Sequence, residues 1–221
     1  MRQEKGRIRL YLADIRPLYR EELLRRAYRL SAPERQKKAD ACRGLQKKAA
    51  SLTAGLLADY AKRQNGYGDC LVWYGESGQP CLEIKKGRRP VWLSLSHSGD
   101  YAVCAFAFCP VGVDLQQERP VRSGLLRHFL APGEGTEGLE IDPGRFFRLW
   151  TVKESAMKLT GRGMALGFDR VRVDLEGGSA SFLETAEEEA AGRMVCREYP
   201  APEGYWLSAC FWEDENSREG T

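Results

Sequence analysis

One carboxylate and two lysines lie close together in the segment from Phe146 to Gly163. On a helix, Trp150, Glu154 and Lys158 are spaced by four residues, so their side chains share one face, and Lys153 lies beside them. A broad apolar face that can pack against a core is formed by Leu149, Val152, Ala156 and Leu159. The polar edge therefore has the groups needed to bind a metal ion or a phosphate. A solvated glutamate–lysine pair, which contributes little to stability, is the alternative interpretation.

A second acid, Asp114, ends an apolar strand in the segment Val111-Gly112-Val113-Asp114-Leu115-Gln116. Asp114 and Gln116 are two residues apart, so their side chains point to the same side of the strand. Magnesium takes oxygen ligands, typically one or two carboxylates together with phosphate oxygens. Asp114 and Glu154 are the candidates for these two carboxylates. A strand-ending turn or a structural ion pair is the alternative for Asp114.

A third polar group surrounds His97, one of two histidines in the chain, which lies between Ser96 and Ser98. Imidazole and hydroxyl groups at the end of a strand can bind a phosphate or a nucleotide. A hydrolase triad is disfavoured, because neighbouring strand residues point to opposite faces and the chain has no G-x-S-x-G motif. A histidine in an ordinary turn is the remaining alternative.

The elements that carry these groups are predicted from hydrophobic periodicity. Helical spacing predicts one long helix from Pro33 to Lys62 and a second helix from Arg145 to Thr160. Glycines, prolines and acids from Ala131 to Gly144 predict a mobile loop. Strands are predicted at Ile8–Ala13, Val72–Gly75, Trp92–Ser96, Tyr101–Phe108, Val111–Leu115, Val171–Leu175, Met194–Glu198 and Trp206–Trp212. Trp92–Ser96 and Tyr101–Phe108 flank a short turn and predict a hairpin. The elements together predict an α+β fold.

The two halves of the chain have similar late strands, because Tyr101–Phe106 resembles Tyr205–Phe211 in composition. A duplicated α+β unit would explain this similarity and would leave a cleft between the two copies. We therefore expect an N-terminal subdomain over residues 1–108 and a C-terminal subdomain over residues 109–221.

Composition narrows the function classes. The chain has 221 residues and a formal net charge of only +3, whereas nucleic-acid-binding domains usually carry a strong basic excess. The seven cysteines form no C-x-x-C motif, which favours free thiols in a reducing compartment. The N-terminal residues lack the apolar core of a signal peptide, and no apolar run is long enough to span a membrane. We therefore expect a cytoplasmic protein that binds neither nucleic acid nor membrane.

The motifs occur in the order Ser96-His97-Ser98, Gly112-Val113-Asp114 and Trp150-Thr151-Val152-Lys153-Glu154-Ser155-Ala156-Met157-Lys158. In this order and at this separation they resemble the signature of the 4′-phosphopantetheinyl transferase superfamily. The chain length is similar to that of the two-subdomain, monomeric type that activates surfactin synthetase. The likeness extends to Ala32-Pro33-Glu34-Arg35 and to the turn from Gly75 to Pro80, and it covers roughly residues 8 to 212.

This resemblance implies two similar α+β subdomains in a pseudo-twofold arrangement, with coenzyme A and a magnesium or manganese ion in the cleft between them. The implied reaction transfers 4′-phosphopantetheine from coenzyme A to a carrier-protein serine and releases adenosine 3′,5′-bisphosphate, as a holo-[acyl-carrier-protein] synthase does. The residues carried over by the motifs have three implied roles. Asp114 and Glu154 bind the metal; Lys153 and Lys158 hold the pyrophosphate; Arg35, Lys38, Ser96 and His97 bind the adenosine and its 3′-phosphate. The general base is Glu154 or, in the predicted loop, Glu134.

The sequence departs from the family pattern at Gln116, where a second acid usually follows the first. An amide oxygen can still bind the metal, directly or through water, but the site loses one negative charge, so we expect weaker metal binding. Gln79 and Ser51 replace basic residues that are common in the family. These two changes concern the affinity for coenzyme A rather than the type of reaction.

The partner implied by the resemblance is an acidic, helical acyl, peptidyl or aryl carrier of fatty acid, polyketide or nonribosomal peptide synthesis. Arg119, Arg122 and Arg127 alternate with apolar residues and are suited to docking such a helix; an amphipathic helix on its own core is the alternative. Three rival functions remain: another metal-dependent phosphotransferase or nucleotide hydrolase, a coenzyme A-binding protein without activity, and a nucleic-acid-binding protein.

Overall fold

The computed structural model describes residues 8–75, 78–121, 128–134, 142–161, 167–183 and 193–213. The helices are α1 (Glu21–Leu30), α2 (Pro33–Asp40), α3 (Leu45–Gln64) and α4 (Pro143–Thr160). The strands are β1 (Arg9–Asp14), β2 (Val72–Tyr74), β3 (Pro80–Leu82), β4 (Trp92–Ser98), β5 (Tyr101–Ala107), β6 (Val111–Gln117), β7 (Val171–Asp174), β8 (Ser179–Phe182), β9 (Met194–Glu198) and β10 (Tyr205–Trp212). Separate helices and antiparallel strands confirm the predicted α+β class.

The chain divides into two compact units, Met1–Cys109 and Pro110–Thr221. In the first unit, β1, β5 and β4 form an antiparallel sheet in that order, and β2 pairs with β3 in a separate hairpin. Helix α3 packs on β5 and β4. The core between them is rich in alanine on the helix side, which lets the helix approach the sheet closely. The predicted hairpin of β4 and β5 is confirmed, and Gly99 turns it with a positive φ of 52°.

The predicted single helix from Pro33 to Lys62 is wrong, because this stretch forms two helices, α2 and α3. The break lies at Gly44, whose φ of 90° is a conformation that glycine adopts without strain. Helix α1 was not predicted at all. It is highly charged and buries only Ala27 fully, but Leu24 and Tyr28 pack on the same face. The spacing of these three residues is a helical signal that was overlooked.

In the second unit, five antiparallel strands lie in the order β6-β10-β9-β8-β7. Helix α4 packs on β6 and β10 and buries Val152, Ala156 and Met157 against the sheet. The strands β8 and, in the first unit, β3 were missed, because both are short and carry no clear alternation. Among the described residues, no helix is both long and apolar enough to cross a membrane.

Candidate functional site

Helix α4 lies unusually close to strand β6, and Gly112 is the reason. A Cβ atom added to Gly112 would lie 1.9 Å from the backbone oxygen of Ser155 and 2.6 Å from the backbone nitrogen of Leu159. Both atoms belong to the helix backbone and cannot move aside. Only glycine at this position therefore allows the helix and the strand to approach each other at this distance.

Helix α4 is also fixed to β10 by buried hydroxyl groups. The Thr151 and Ser208 hydroxyls are hydrogen-bonded to each other at 2.9 Å. The Ser155 hydroxyl lies 2.6 Å from the Thr151 carbonyl oxygen and 2.9 Å from that of Ser208. These contacts fix both the rotation and the height of the helix on the sheet, so the side chains on its polar edge are held in defined positions.

That edge brings Lys158 against Asp114 of β6. The Lys158 ammonium donates to Asp114 Oδ1 at 2.6 Å and to the Val113 carbonyl at 3.0 Å. The Asp114 side chain is 7% exposed and that of Lys158 is 28% exposed. The attraction between two charges that are this well shielded from water is stronger than the attraction between the same charges at the surface.

Glu154, one helical turn before Lys158, lies near the same aspartate. Burial raises the pKa of Glu154 above its ordinary value, the negative charge of Asp114 raises it further, and Lys158 partly offsets both effects. Two carboxylates thus share one partly buried region with a single lysine. Such a region favours an additional positive charge.

Oxygen donors of this kind are suited to a hard divalent cation. Gln116 is partly exposed, and its Nε2 donates a hydrogen bond to the Gln117 carbonyl at 3.2 Å. The amide oxygen of Gln116 is thereby left available as a metal ligand. In the described part of the chain, no three His, Cys, Asp or Glu side chains are grouped to hold a metal ion. Two carboxylates, Asp114 and Glu154, with one amide nevertheless fit magnesium, which usually retains water and takes its other oxygens from a phosphate substrate.

Lys153 faces the interior instead. Its side chain is fully buried, and the ammonium donates to Glu134 Oε2 at 2.5 Å and to the carbonyls of Phe129 and Phe168 at 2.8 and 3.1 Å. It also lies 4.9 Å from the centre of the Phe129 ring. Burial lowers the pKa of Lys153, although Glu134 acts in the opposite direction.

Glu134 is held by backbone groups as well. Its Oε2 accepts from Ala131 N at 2.8 Å, and its Oε1 accepts from Val173 N at 2.7 Å. With Lys153, three donors thus bind its two oxygens. The structure therefore places Lys153 and Glu134 in a buried ion pair, whereas the sequence interpretation gave them contacts with pyrophosphate and the serine proton. The described start of the predicted mobile loop, residues 131–134, is a turn fixed by these bonds.

In the first unit, Arg35 and Lys38 form a cationic cluster. Arg35 is buried; its guanidinium lies 4.3 Å from the centre of the Tyr74 ring and its Nε donates to the Tyr74 hydroxyl at 3.0 Å. Burial lowers the pKa of Lys38, and the nearby charge of Arg35 lowers it further. Gly55 provides the space for the Arg35 side chain, because a Cβ there would lie 2.7 Å from Arg35 Cγ. An anion at this cluster would stabilise both cations.

The remaining predicted site residues are only partly accounted for. Ser96 and His97 lie on β4, with Ser96 buried and His97 exposed, as expected for neighbouring residues of a strand. Arg119 is exposed just after β6, whereas Arg122 and Arg127 lie outside the described residues. Ser51 is buried, and its hydroxyl has no hydrogen-bond partner among the described residues.

Sequence reasoning missed the roles of three residues that shape these sites: Gly55, Tyr74 and Gly112. Gly112 was noted only as part of a motif, although a glycine within an apolar strand is itself a signal of close backbone approach. Tyr74 and Gly55 carry no such signal, because their contacts with Arg35 connect residues far apart in the chain.

Comparisons of the sequence with a family profile and with individual known proteins indicate the same family. The sequence profile described as "4′-phosphopantetheinyl transferase superfamily" matches residues 110–210. The 4′-phosphopantetheinyl transferase AcpT of Salmonella typhi is 32% identical over 134 residues, which cover 58% of this chain and 67% of AcpT. The 4′-phosphopantetheinyl transferase ffp of Bacillus subtilis is 28% identical over 206 residues, 88% of each chain. The match to 4′-phosphopantetheinyl transferase Sfp of Bacillus subtilis (strain 168) is 27% identical and spans 60% of that protein.

Proposed function

We propose that this chain, which belongs to the 4′-phosphopantetheinyl transferase superfamily, transfers the phosphopantetheine group of coenzyme A to a serine of an apo carrier protein. The observation that carries this proposal is the grouping of Asp114, Glu154 and Lys158 inside the segment that the family profile matches. Two carboxylates and a lysine at one partly buried position are the groups that a pyrophosphate with its divalent cation requires.

The proposed reaction is an in-line displacement. The carrier serine oxygen attacks the β-phosphorus of coenzyme A, a new phosphorus–oxygen bond forms, and the bond to the bridging oxygen breaks. Adenosine 3′,5′-bisphosphate leaves with that electron pair. We assign the neutralisation of charge on the phosphates to Lys158, whose ammonium is partly exposed.

Glu154 is the better supported acceptor for the serine proton. Its raised pKa makes it a stronger base than an ordinary glutamate. Glu134, the other candidate from the sequence, already accepts hydrogen bonds from Ala131, Lys153 and Val173. We therefore assign Glu134 and Lys153 to positioning α4 and the chain segment that precedes it.

A divalent cation, magnesium or manganese, belongs to this proposal. Asp114, Glu154 and Gln116 would hold it, because they offer the hard oxygen atoms that such ions prefer. When bound, the cation would neutralise negative charge on the pyrophosphate. Because Gln116 is neutral, this site carries one negative charge fewer than a site with three acids, so we expect weaker binding of the cation.

The 3′-phosphate of coenzyme A is assigned to Arg35 and Lys38, since these two neighbouring cations would both be stabilised by an anion. Ser96 and His97 are assigned to the adenosine. For the carrier we propose the basic stretch that contains Arg119, Arg122 and Arg127 as the docking region, with the protein acting as a monomer. The carrier would belong to fatty acid, polyketide or nonribosomal peptide synthesis.

The proposal is tested by measuring release of adenosine 3′,5′-bisphosphate from coenzyme A by liquid chromatography. We expect release only when an apo carrier and magnesium are both present. Release without a carrier would identify a nucleotide hydrolase instead. Binding of coenzyme A with no release on any carrier of a broad panel would identify an inactive binding protein. A carrier whose serine is replaced by alanine is the matched control.

A further inference from the structure

Two free cysteines, Cys196 on β9 and Cys210 on β10, lie directly opposite each other in the sheet of the second unit. Tyr199 N donates to the Leu207 carbonyl, so Tyr199 and Leu207 form a hydrogen-bonded pair. Hydrogen-bonded and non-hydrogen-bonded pairs alternate along antiparallel strands. The cysteine pair lies three positions further along and is therefore a non-hydrogen-bonded pair. Cys196 N instead donates to Gly178 on the other side of β9. Non-bonded pairs bring the two Cα atoms to about 4.5 Å, within the range that a disulfide spans.

The two sulfur atoms also face each other. Their Sγ atoms are 2.6 Å apart, which is shorter than an ordinary contact between two thiols and nearer to the S–S bond length of about 2.05 Å. Cys196 is 8% exposed and Cys210 is completely buried, and both lie in the core formed with Val152 and Met157 of α4. Joining the sulfur atoms removes the weak hydrogen bond that the Cys210 thiol donates to the Val152 carbonyl at 3.5 Å. The geometry is therefore that of a reduced pair ready for cross-linking.

We propose that Cys196 and Cys210 are a site of oxidative modification, at which a hydroperoxide converts the two thiols into a cross-strand disulfide. The sulfur of Cys196, the less deeply buried of the two residues, attacks a peroxide oxygen. The O–O bond breaks, and the hydroxide that leaves takes the Cys196 proton as water. The Cys210 sulfur then attacks the sulfenic sulfur of Cys196. The S–S bond forms, the S–O bond breaks, and the departing hydroxide takes the Cys210 proton as water. Overall, two thiols lose two electrons and hydrogen peroxide becomes two water molecules.

The disulfide would close a ring of residues 196 to 210 and join β9 to β10. Closing a ring of this length lowers the equilibrium constant for unfolding by roughly a hundredfold. The modification is independent of the proposed transfer activity, because neither cysteine is among the residues assigned to it.

The test treats the folded protein with hydrogen peroxide, blocks the remaining thiols with iodoacetamide under denaturing conditions, and digests with trypsin. Trypsin cuts after Arg197, so Cys196 lies in peptide 194–197 and Cys210 in peptide 198–218. We expect a species with the summed mass of the two peptides less two hydrogen atoms, which dithiothreitol separates. Cys104 is equally buried but has no cysteine opposite it, so it is the internal control and should be alkylated.

Variants separate the proposal from chance oxidation. Cys81→Ser should form the link as the wild type does, and Cys210→Ala should abolish it. In urea, the peroxide-treated wild type should unfold at a higher denaturant concentration than its dithiothreitol-reduced form, and Cys196→Ala should show no such shift. Alkylation of both cysteines, or conversion of Cys196 to a sulfinic acid beside an unmodified Cys210, would overturn the proposal.

Discussion

Lys158 is the counter-ion of Asp114: its Nζ lies 2.6 Å from Asp114 Oδ1 and thereby connects helix α4 to strand β6. The same lysine partly offsets the burial of Glu154. One cation thus serves two carboxylates in the chain without bound ligands.

Lys158→Met should destabilise the metal-free protein by about 2 kcal/mol, because the substitution leaves a buried carboxylate without its charged donor. Magnesium should then raise the melting temperature more in the variant than in the wild type, since the cation supplies the missing charge. The measurement is thermal unfolding with and without magnesium. An equal magnesium shift in both proteins would show that Asp114 does not bind the cation.

Gly112→Ala should destabilise the protein by about 3 kcal/mol or more and should lower transfer activity, because its Cβ would collide with the backbone of α4. The matched control is Gly75→Ala, where the nearest atom to the added Cβ is Gln79 Cγ at 3.6 Å. Urea unfolding measures both variants. Similar stabilities for the two variants would argue against a close approach of helix and strand.

Lys153→Met and Glu134→Gln should each destabilise the protein by about 3–5 kcal/mol, because each leaves its partner charged and buried. In the double variant the cost should be clearly less than the sum, which is the signature of a direct pair. Urea unfolding of the four proteins gives the coupling free energy. Additive costs would mean that the pair does not exist in solution. If Glu134→Gln were as stable as the wild type but inactive, the result would support Glu134 as the general base.

The pH dependence of stability should report on Glu154. Because its pKa is raised in the folded state, that state holds the proton more tightly than the unfolded chain, whose carboxyl titrates near the ordinary value of 4.5. This contribution to stability is complete below pH 4.5 and is lost as the pH rises through the folded-state pKa. We therefore expect the difference in free energy of unfolding between the wild type and Glu154→Gln to fall as the pH rises above 4.5. The measurement is made in buffer with a metal chelator. Urea unfolding at a series of pH values tests this, and a constant difference would contradict it.

Gln116→Glu should strengthen magnesium binding by roughly tenfold, since it adds a negative charge on the side of β6 that carries Asp114. The control Gln117→Glu adds the same charge on the opposite side of the strand and should have a much smaller effect. Isothermal titration with magnesium in the presence of coenzyme A measures both affinities. Equal effects would show that Gln116 does not lie at the cation.

Much of the second unit could be predicted from the sequence, because α4, β6, β9 and β10 have strong apolar periodicity and the motif residues lie on them. Periodicity also placed Glu154 and Lys158 on one edge of a helix. It could not predict that the adjacent Lys153 turns inward, because its acceptors Phe129, Glu134 and Phe168 lie outside the helix, on the segments before and after it. Spacing describes one element, whereas such contacts depend on how several elements pack.

The break between α2 and α3 illustrates another limit. The whole stretch is rich in residues that favour helices, and only Gly44 and its neighbours mark the interruption. A single glycine within such a stretch is also compatible with a continuous helix, at a cost of about 1 kcal/mol. The sequence therefore predicts the helical content of this region but not its division.

The most direct test of the proposed function is the intact mass of an apo carrier protein after incubation with this protein, coenzyme A and magnesium. We predict that the carrier gains the mass of one phosphopantetheine group. Asp114→Asn and Glu154→Gln should each slow the gain by roughly a hundredfold or more, while Glu198→Gln, which alters an ion pair with Arg148 on the same unit, should not. The proposed reaction would be contradicted if no carrier gained mass, or if the Asp114 and Glu154 variants modified the carrier as fast as the wild type does.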